Sequence, residues 1–383
     1  MIERIDLQAI RSWSRGGVAL SGGVHVFWGA NGAGKTTLLE ASIVAATGRS
    51  HRAGSLRELV AEGADSGALT VTVGDGASLD DPLARTNLTV ELSRTERTRH
   101  LVAGTARRSA SLRDRLKVAT FVPEETGLVA AAPSLRRGAF DRIAAQWHPG
   151  YDDALDRYER ALKQRNRLLK DALDADGAAR RALAAELKPW TALLVESGSD
   201  VVLGRLALLR ALAAPIEAAH REVAPDEGRL SIAYRSREGH AEDASPDAVA
   251  TALRDGFDET AEAEGYQGAT LIGPHRDDFG FFVDARDLAP TASRGQQRSL
   301  LLALLFAEIE LLADRSGRPP VLLLDDAFSE LDPDRRDRLV GRLVALPQAI
   351  VTTTTLEDLA PALVARATTH EVVRTAEGSA VRE

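Results

Sequence analysis

Gly29-Ala30-Asn31-Gly32-Ala33-Gly34-Lys35-Thr36 matches the spacing G-x-x-x-x-G-K-[ST]. Glycines at these positions let backbone N–H groups turn inward and close on phosphate oxygens. A helix beginning at the end of the run adds unpaired N–H donors and the positive end of its dipole. Lys35 brings a cation to the β- and γ-phosphates, and Thr36 brings a hydroxyl to Mg²⁺. The run therefore reads as a nucleoside triphosphate site. The chemistry needs a strand, the loop and a helix in that order, and the apolar Val24–Trp28 run and the helix-like Thr37–Thr47 run supply both flanks.

Three further patterns lie in the last third of the chain. Val321-Leu322-Leu323-Leu324-Asp325-Asp326 is an apolar strand that ends in two acids, a Walker B pattern. Asp325 is placed for the Mg²⁺ shell, and Asp326 to orient or deprotonate an attacking water. Ser293-Arg294-Gly295-Gln296-Gln297 opens an apolar helix and can bind an anion through a hydroxyl, a close-approach glycine and the helix N-terminus. Taken alone it is equally an ordinary serine cap. Ser329-Glu330-Leu331-Asp332 follows at once, and Asp332-Pro333 is a good helix start.

These residues need elements to hold them. Ile2–Ile10, Val24–Phe27, Leu69–Val73, Leu88–Leu92 and Lys117–Val122 read as strands, with a turn or loop over Asp75–Asp81. From Ala139 to about Val223 the chain turns helical: Tyr151, Leu155, Tyr158, Leu162 and Arg165 share helical spacing, as do Leu203, Leu206 and Leu209. Pro189 and Gly198 are expected to divide this stretch into several packed helices. Leu230–Tyr234 reads as a strand; Thr270-Leu271-Ile272 and Gly280–Val283 flank a turn. Gln296–Leu312 reads as a helix, and Val321–Leu324 and Ile350–Thr353 as buried strands. Two α/β segments thus enclose a helical insertion.

Composition narrows the class. With 383 residues the chain can hold two domains or one large one, and 44% apolar residues can build a core. No cysteine is present, which excludes disulfides, thiolate zinc sites and cysteine nucleophiles. Met1–Gly17 lacks a signal-peptide core, and Leu300–Leu312 is too short to span a bilayer and carries Glu308 and Glu310. A cytoplasmic protein with no membrane partner is expected. The net charge of −8 argues against a general nucleic-acid coat but leaves room for a local basic patch.

The order of the patterns resembles the ATP-binding-cassette ATPases, in which S-x-G-Q of one subunit closes over the nucleotide held by the P-loop of another. Further segments resemble the RecF family of bacterial recombination proteins. They are Leu38-Leu39-Glu40-Ala41 after the P-loop, Ala46-Thr47-Gly48-Arg49-Ser50, and Phe121-Val122-Pro123-Glu124 beside the family's F-S-P-E. Tyr158-Glu159-Arg160-Ala161-Leu162 with Gln164-Arg165-Asn166 looks like its Y-x-x-x-L-x-Q-R-N helix. Gly273-Pro274-His275-Arg276-Asp277-Asp278, Gly295-Gln296-Gln297-Arg298, Leu323-Leu324-Asp325-Asp326 and the Thr352–Thr355 run complete it. Departures are Thr37 in place of Asn, Val122 in place of Ser, Thr126-Gly127-Leu128 in place of the usual acidic-apolar continuation, and Phe140-Asp141 where the family has a similar but longer apolar-acidic run.

The resemblance implies an α/β fold: an ABC-type ATPase head assembled from N- and C-terminal segments, 1–128 and 268–383, around an inserted helical arm, 129–267. It implies ATP and Mg²⁺ as cofactors. The ligands would be Gly29, Ala30, Asn31, Gly32, Ala33, Gly34, Lys35 and Thr36, with Ser293, Gly295 and Gln296 from a partner copy. Thr36 and Asp325 would hold the metal; Lys35, Asp325 and Asp326 would serve a slow hydrolysis. It also implies ATP-dependent homodimers, DNA binding near single-strand/double-strand junctions, and recombination-mediator partners in replication, repair and the DNA-damage (SOS) response. Whether Glu124 takes the place of the Q-loop glutamine is left open by the resemblance.

Other residues carry two readings each. Arg97, Arg99, Arg107, Arg108, Arg113 and Arg115 form either a phosphate-tracking patch or a solvated β-edge, and Arg136, Arg137 and Arg142 repeat the choice. Arg11-Ser12 either reaches the phosphates or forms a surface turn. His275-Arg276-Asp277-Asp278 is expected to be a hydrogen-bonded turn near the nucleotide rather than a metal site. A divergent SMC-like or other ABC-class ATPase with a non-repair partner is the alternative. A true SMC chain needs far longer heptads, and a transporter subunit lacks such a helical insertion.

Overall fold

The computed structural model describes residues 1–74, 85–125, 127–173, 175–290 and 292–382. The expected Asp75–Asp81 turn and Thr126 lie outside them. Elements run in the order β1 Ile2–Ile10, β2 Trp13–Ala19, β3 Gly23–Trp28, α1 Lys35–Thr47, β4 Ser66–Val73, β5 Thr86–Ser93, β6 Arg99–Val102, β7 Thr105–Arg107, α2 Ala110–Arg113 and β8 Val118–Phe121. The middle holds α3 Pro133–Trp147, α4 Tyr151–Leu173, α5 Gly177–Val223, β9 Leu230–Arg235, α6 Pro246–Gln267, β10 Asp278–Val283 and β11 Arg286–Asp287. The last third holds α7 Arg294–Ser316, β12 Val321–Asp325, α8 Pro333–Ala345, β13 Gln348–Thr353, α9 Pro361–Val364, β14 Ala367–Thr375 and β15 Gly378–Arg382.

The chain divides into two units. The first comprises residues 1–127, 218–226 and 293–383, and the second 128–217 and 227–292. The return to the first unit thus comes at Ser293, not at residue 268. The reason is β10, which pairs along its whole length with β9 and so ties the segment after α6 into the second unit.

Two six-stranded sheets build the first unit. One is antiparallel, in the order β2-β1-β4-β5-β6-β7; the other runs β15-β14-β3-β13-β12-β8. In the second sheet β14, β3, β13, β12 and β8 run parallel to one another, and β15 is antiparallel to β14. Every residue of α1 except Thr36 is buried. A helix buried all round cannot be a surface helix; α1 touches β1, β4 and β5 of one sheet and β12 and β13 of the other. Its side chains Leu38, Leu39, Ile43 and Val44 join Ile5, Leu69, Val90, Leu323 and Ile350 in one core. This burial fixes the helix whose first turn carries Lys35 and Thr36.

The second unit joins α3 to α6 with the three-stranded sheet β11-β10-β9. Here the expectation of breaks at Pro189 and Gly198 is corrected: α5 runs unbroken through both, and also through Pro215. The helical stretch breaks instead before α4, where Gly150 has φ 80°, and between α4 and α5. An interior proline costs about 3 kcal/mol. Burial of Leu194, Val201, Val202, Leu206, Leu208 and Leu212 along α5 outweighs it, since each such side chain contributes about 1.5–3 kcal/mol. Gly198 is a packing residue: a Cβ there would stand 3.1 Å from the Tyr158 ring of α4. Thr270-Leu271-Ile272 forms no strand.

Candidate nucleotide site

The P-loop leaves β3 and enters α1, as the sequence requires. Gly29, Gly32 and Gly34 have φ of 145°, 79° and 109°, which side chains disfavour. A Cβ on Gly29 would collide with the Val372 carbonyl of β14, and one on Gly34 would press on Ser379 and Trp13. Trp13 Nε1 donates to the Gly34 carbonyl at 3.1 Å, which braces the turn from β2. Lys35 Nζ donates to the carbonyls of Gly29 (2.6 Å) and Ala30 (3.0 Å). Burial lowers the Lys35 ammonium from its ordinary value, while Asp325 and Asp326 pull it back.

Sheet order brings the acids to the loop. β13 lies between β3 and β12, with Thr352 in register with both Phe27 and Asp325. The C-terminal ends of these parallel strands therefore deliver the P-loop and Asp325 to one edge of the sheet. Thr36 Oγ1 donates to Asp325 Oδ1 at 3.0 Å, and the Thr352 hydroxyl donates to the same oxygen. Asp326 N donates to the Thr352 carbonyl (3.2 Å) and hydroxyl (3.3 Å). Asp326 sits at φ 49°, a left-handed conformation that costs a non-glycine residue about 1–3 kcal/mol and is typical of functional positions. The structure thus joins Lys35, Thr36, Asp325 and Asp326 in one cluster.

Ser293, Gly295 and Gln296 stand elsewhere, at the start of α7. Ser293 Oγ accepts from Gln296 N at 3.2 Å and Gln296 Oε1 accepts from Ser293 N at 3.0 Å, a reciprocal cap. Ser293 and Arg294 are exposed. Behind them Arg335 of α8 donates to Ser299 Oγ, which in turn donates to the Gly295 carbonyl at 3.2 Å. Asp332 caps α8, accepting from Arg335 N at 3.0 Å.

Several residues take other roles than the sequence suggests. Arg11 does not aim at phosphates: it grips Glu40 of α1 at 2.9 and 3.2 Å. Burial would raise the Glu40 carboxyl, but Arg11 and Ser50 together hold it below the ordinary range. Arg94 donates to the carbonyls of Val60, Ala61 and Ala64, and buried Arg113 donates to the Thr47 carbonyl. Arg99 pairs with Glu91 at 3.0 Å. Arg97, Arg107, Arg108 and Arg115 are exposed.

Gly273–Asp278 belongs to the second unit, where it forms the hydrogen-bonded turn that the sequence leads one to expect rather than a metal site. Tyr158 Oη meets His275 Nδ1 at 2.6 Å, and buried Arg205 donates to the Pro274 carbonyl (2.7 Å) and both Asp141 oxygens (2.9 Å). Tyr234 donates to Asp277, Arg137 to the Asp277 carbonyl, and Arg136 to both Asp278 oxygens. Burial lowers His275 to about 4 and raises Asp277 to about 7. Among the described residues no group of three or more His, Asp or Glu could hold a metal by itself, and no helix is long and apolar enough to cross a membrane.

Sequence reasoning gave no role to Trp13, Thr352 or His51. Thr352 had a visible signal, the threonine run at the end of an apolar strand. Trp13 had none, because its bond to the Gly34 carbonyl is made across the fold, and nothing in the spacing singles out His51.

A phosphate-type loop, an acid at the end of the next strand but one, and a serine-capped helix on the same unit define an ABC-type ATPase head. The RecF/RecN/SMC N terminal domain model matches residues 1–375. "DNA replication and repair protein RecF" of Symbiobacterium thermophilum is 34% identical over 94% of this chain and 92% of its own length. The protein of that name from Heliobacterium modesticaldum is also 34% identical, over 97% of both. The chain belongs to the RecF family. The recombination mediator protein RecF-ATPrS in the RecFOR pathway has the same fold, with a TM-score of 0.84 at 24% identity over 100% of this chain and 97% of that one. An Smc head domain from Pyrococcus furiosus superposes with a TM-score of 0.52 at 15% identity, covering 100% of this chain and 95% of that one.

Proposed function

We propose that this chain is an ATP-dependent DNA-binding protein of recombinational repair and replication, in which ATP drives dimerisation and is slowly hydrolysed. The cluster of Lys35, Thr36, Asp325 and Thr352 at one sheet edge carries this reading. The residues fit MgATP. Backbone N–H groups of residues 29–36 and Lys35 would hold the phosphates. Thr36 and Asp325 would supply two oxygens to Mg²⁺, which commonly takes few protein ligands beside phosphates and water. Bound Mg²⁺ would neutralise charge on the phosphates.

The chain's own residues do the remainder. The Thr36 and Thr352 hydroxyls hold Asp325 in one orientation, and the backbone at Asp326 is tied to Thr352 beside it. Asp326 is then placed to orient water. Ser293, Gly295 and Gln296 form an exposed, pre-capped helix start on the same unit, which suits closure over a second copy's nucleotide. Exposed Arg97, Arg107 and Arg115 are the choice for DNA phosphates, because Arg99 pairs with Glu91 and buried Arg113 bonds the Thr47 carbonyl. Gapped or junction DNA and recombination-mediator proteins are the partners, and the cytoplasm the compartment. The SMC-like reading with a non-repair partner has no observation of its own in its favour.

The test is ATP turnover with and without gapped DNA at low salt. Stimulation by gapped DNA, reduced in an Arg97→Glu/Arg107→Glu variant and weakened by salt, supports the reading. ATP turnover indifferent to DNA overturns the DNA part of it.

A further inference from the structure

His51 follows α1 and is the one histidine whose two ring nitrogens, Nδ1 and Nε2, are both buried without a hydrogen-bond partner among the described residues. Burying such atoms unpaired is costly, and a native structure meets that cost with a bound water or ion or with a functional role.

Three anchors place this imidazole. Thr36 and Glu40 lie one turn apart on the same face of α1, and Thr36 is bonded to Asp325. Ser50 Oγ donates to Glu40 Oε1 at 2.5 Å, which fixes the residue before His51. Arg52 pairs with Glu124 at 3.5 Å, which fixes the residue after it. Glu124 leaves β8, whose Phe121 is in register with Leu324 of β12, so Glu124 and Asp325 emerge from the same ends of adjacent strands. The His51 ring accordingly lies within electrostatic reach of Glu124, Glu40 and Asp325.

Glu40 is paired with Arg11 and Glu124 with Arg52, whereas the Asp325 carboxylate is met by the Thr36 and Thr352 hydroxyls. A phosphate that arrives with its divalent cation and metal-bound water suits that carboxylate. The imidazole, as donor or acceptor, can bond either a phosphate oxygen or that water. We infer that His51 is a residue of the nucleotide site, hydrogen-bonding the γ-phosphate and metal-water end of a bound nucleoside triphosphate. This rests on the ATP reading above and names a residue that the phosphate-loop and Walker patterns do not include.

The experiment measures equilibrium binding of MgATP and MgADP to the full chain, for wild type, His51→Leu and His51→Gln. His51→Leu should weaken MgATP about tenfold, the scale of one hydrogen bond to a charged group. MgADP should stay within about twofold, and His51→Gln should recover part of the loss. An unchanged MgATP:MgADP ratio in His51→Leu, with wild type binding MgATP, overturns the role of His51 and leaves the ATP reading standing. A wild type that binds no MgATP sinks the ATP reading itself. If His51→Leu unfolds, ¹⁵N-histidine spectra of wild type decide. The resonance missing from His51→Gln should move with MgATP and not with MgADP, and a resonance that stays still with both overturns the inference.

Discussion

Alanine at Gly29 and at Gly32 separates two costs that a phosphate loop carries. Gly32 has φ 79° and open space where a Cβ would go. Alanine there suffers the left-handed penalty, about 1–2 kcal/mol, reduced by about 0.4–1 kcal/mol because alanine restricts the unfolded chain. The net is on the order of 1 kcal/mol. Gly29 has φ 145°, and its added Cβ would collide with the Val372 carbonyl, which is backbone and cannot rotate away. β14 would have to shift where Glu371 pairs with Trp28. Strain of about 1–3 kcal/mol adds to overpacking of about 1–3 kcal/mol, so Gly29→Ala should cost about 2–6 kcal/mol before the same reduction of about 0.4–1 kcal/mol. Thermal melts of the nucleotide-free chain read the difference at roughly 2–4 °C per kcal/mol for a domain of roughly 150–250 residues. Gly29→Ala should melt far below Gly32→Ala. Equal melting temperatures would refute the claim that β14 packs directly on the loop.

Thr352→Val keeps the side-chain volume but removes a hydrogen bond to a carboxylate, worth about 1.5–3 kcal/mol. A double-mutant cycle with Asp325→Asn, read by urea unfolding without nucleotide, should show coupling of about 1 kcal/mol or more; additivity would deny the Thr352–Asp325 bond. In the arm, burial raises the Asp277 carboxyl to about 7 against its exposed value near 3.9. A folded value above the unfolded one gives stability that is complete below about pH 4 and lost as pH rises through 7. The loss tends to at most about 4 kcal/mol, at about 1.4 kcal/mol per unit. Asp277→Asn should therefore gain stability over wild type between pH 5 and pH 8, and a pH-independent difference would contradict the burial account.

The parts of the fold legible in the sequence are those set by local physics. The run into Gly29, the helix from Lys35 and the strand ending at Asp325 follow from apolar period, glycine placement and acids at a strand end. Pro189 and Gly198 misled because local preference was outweighed by tertiary burial along α5 and by the Tyr158 ring. Arg11 and Arg113 show the same limit in charge: sequence sees a cation, and only the fold shows that a carboxylate or a carbonyl already occupies it. Thr352 and His51 reach the site through sheet order and a crossing loop, which no short spacing encodes.

Light scattering of mixed variants addresses the central claim, that ATP joins two copies through composite sites. Asp326→Asn should slow hydrolysis, so all chains carry it. With MgATP, that chain should be dimeric. Ser293→Arg should bind MgATP yet stay monomeric, because a bulky cation replaces the small hydroxyl at the start of α7. Lys35→Ala should bind no nucleotide, having lost the loop's cation. Mixed together, these two can build one complete site, with Lys35 from the first chain and Ser293 from the second, and partial dimer should return. A chain that binds MgATP and remains monomeric at every concentration, or a Ser293→Arg monomer that loses MgATP binding while still folded, would contradict the account.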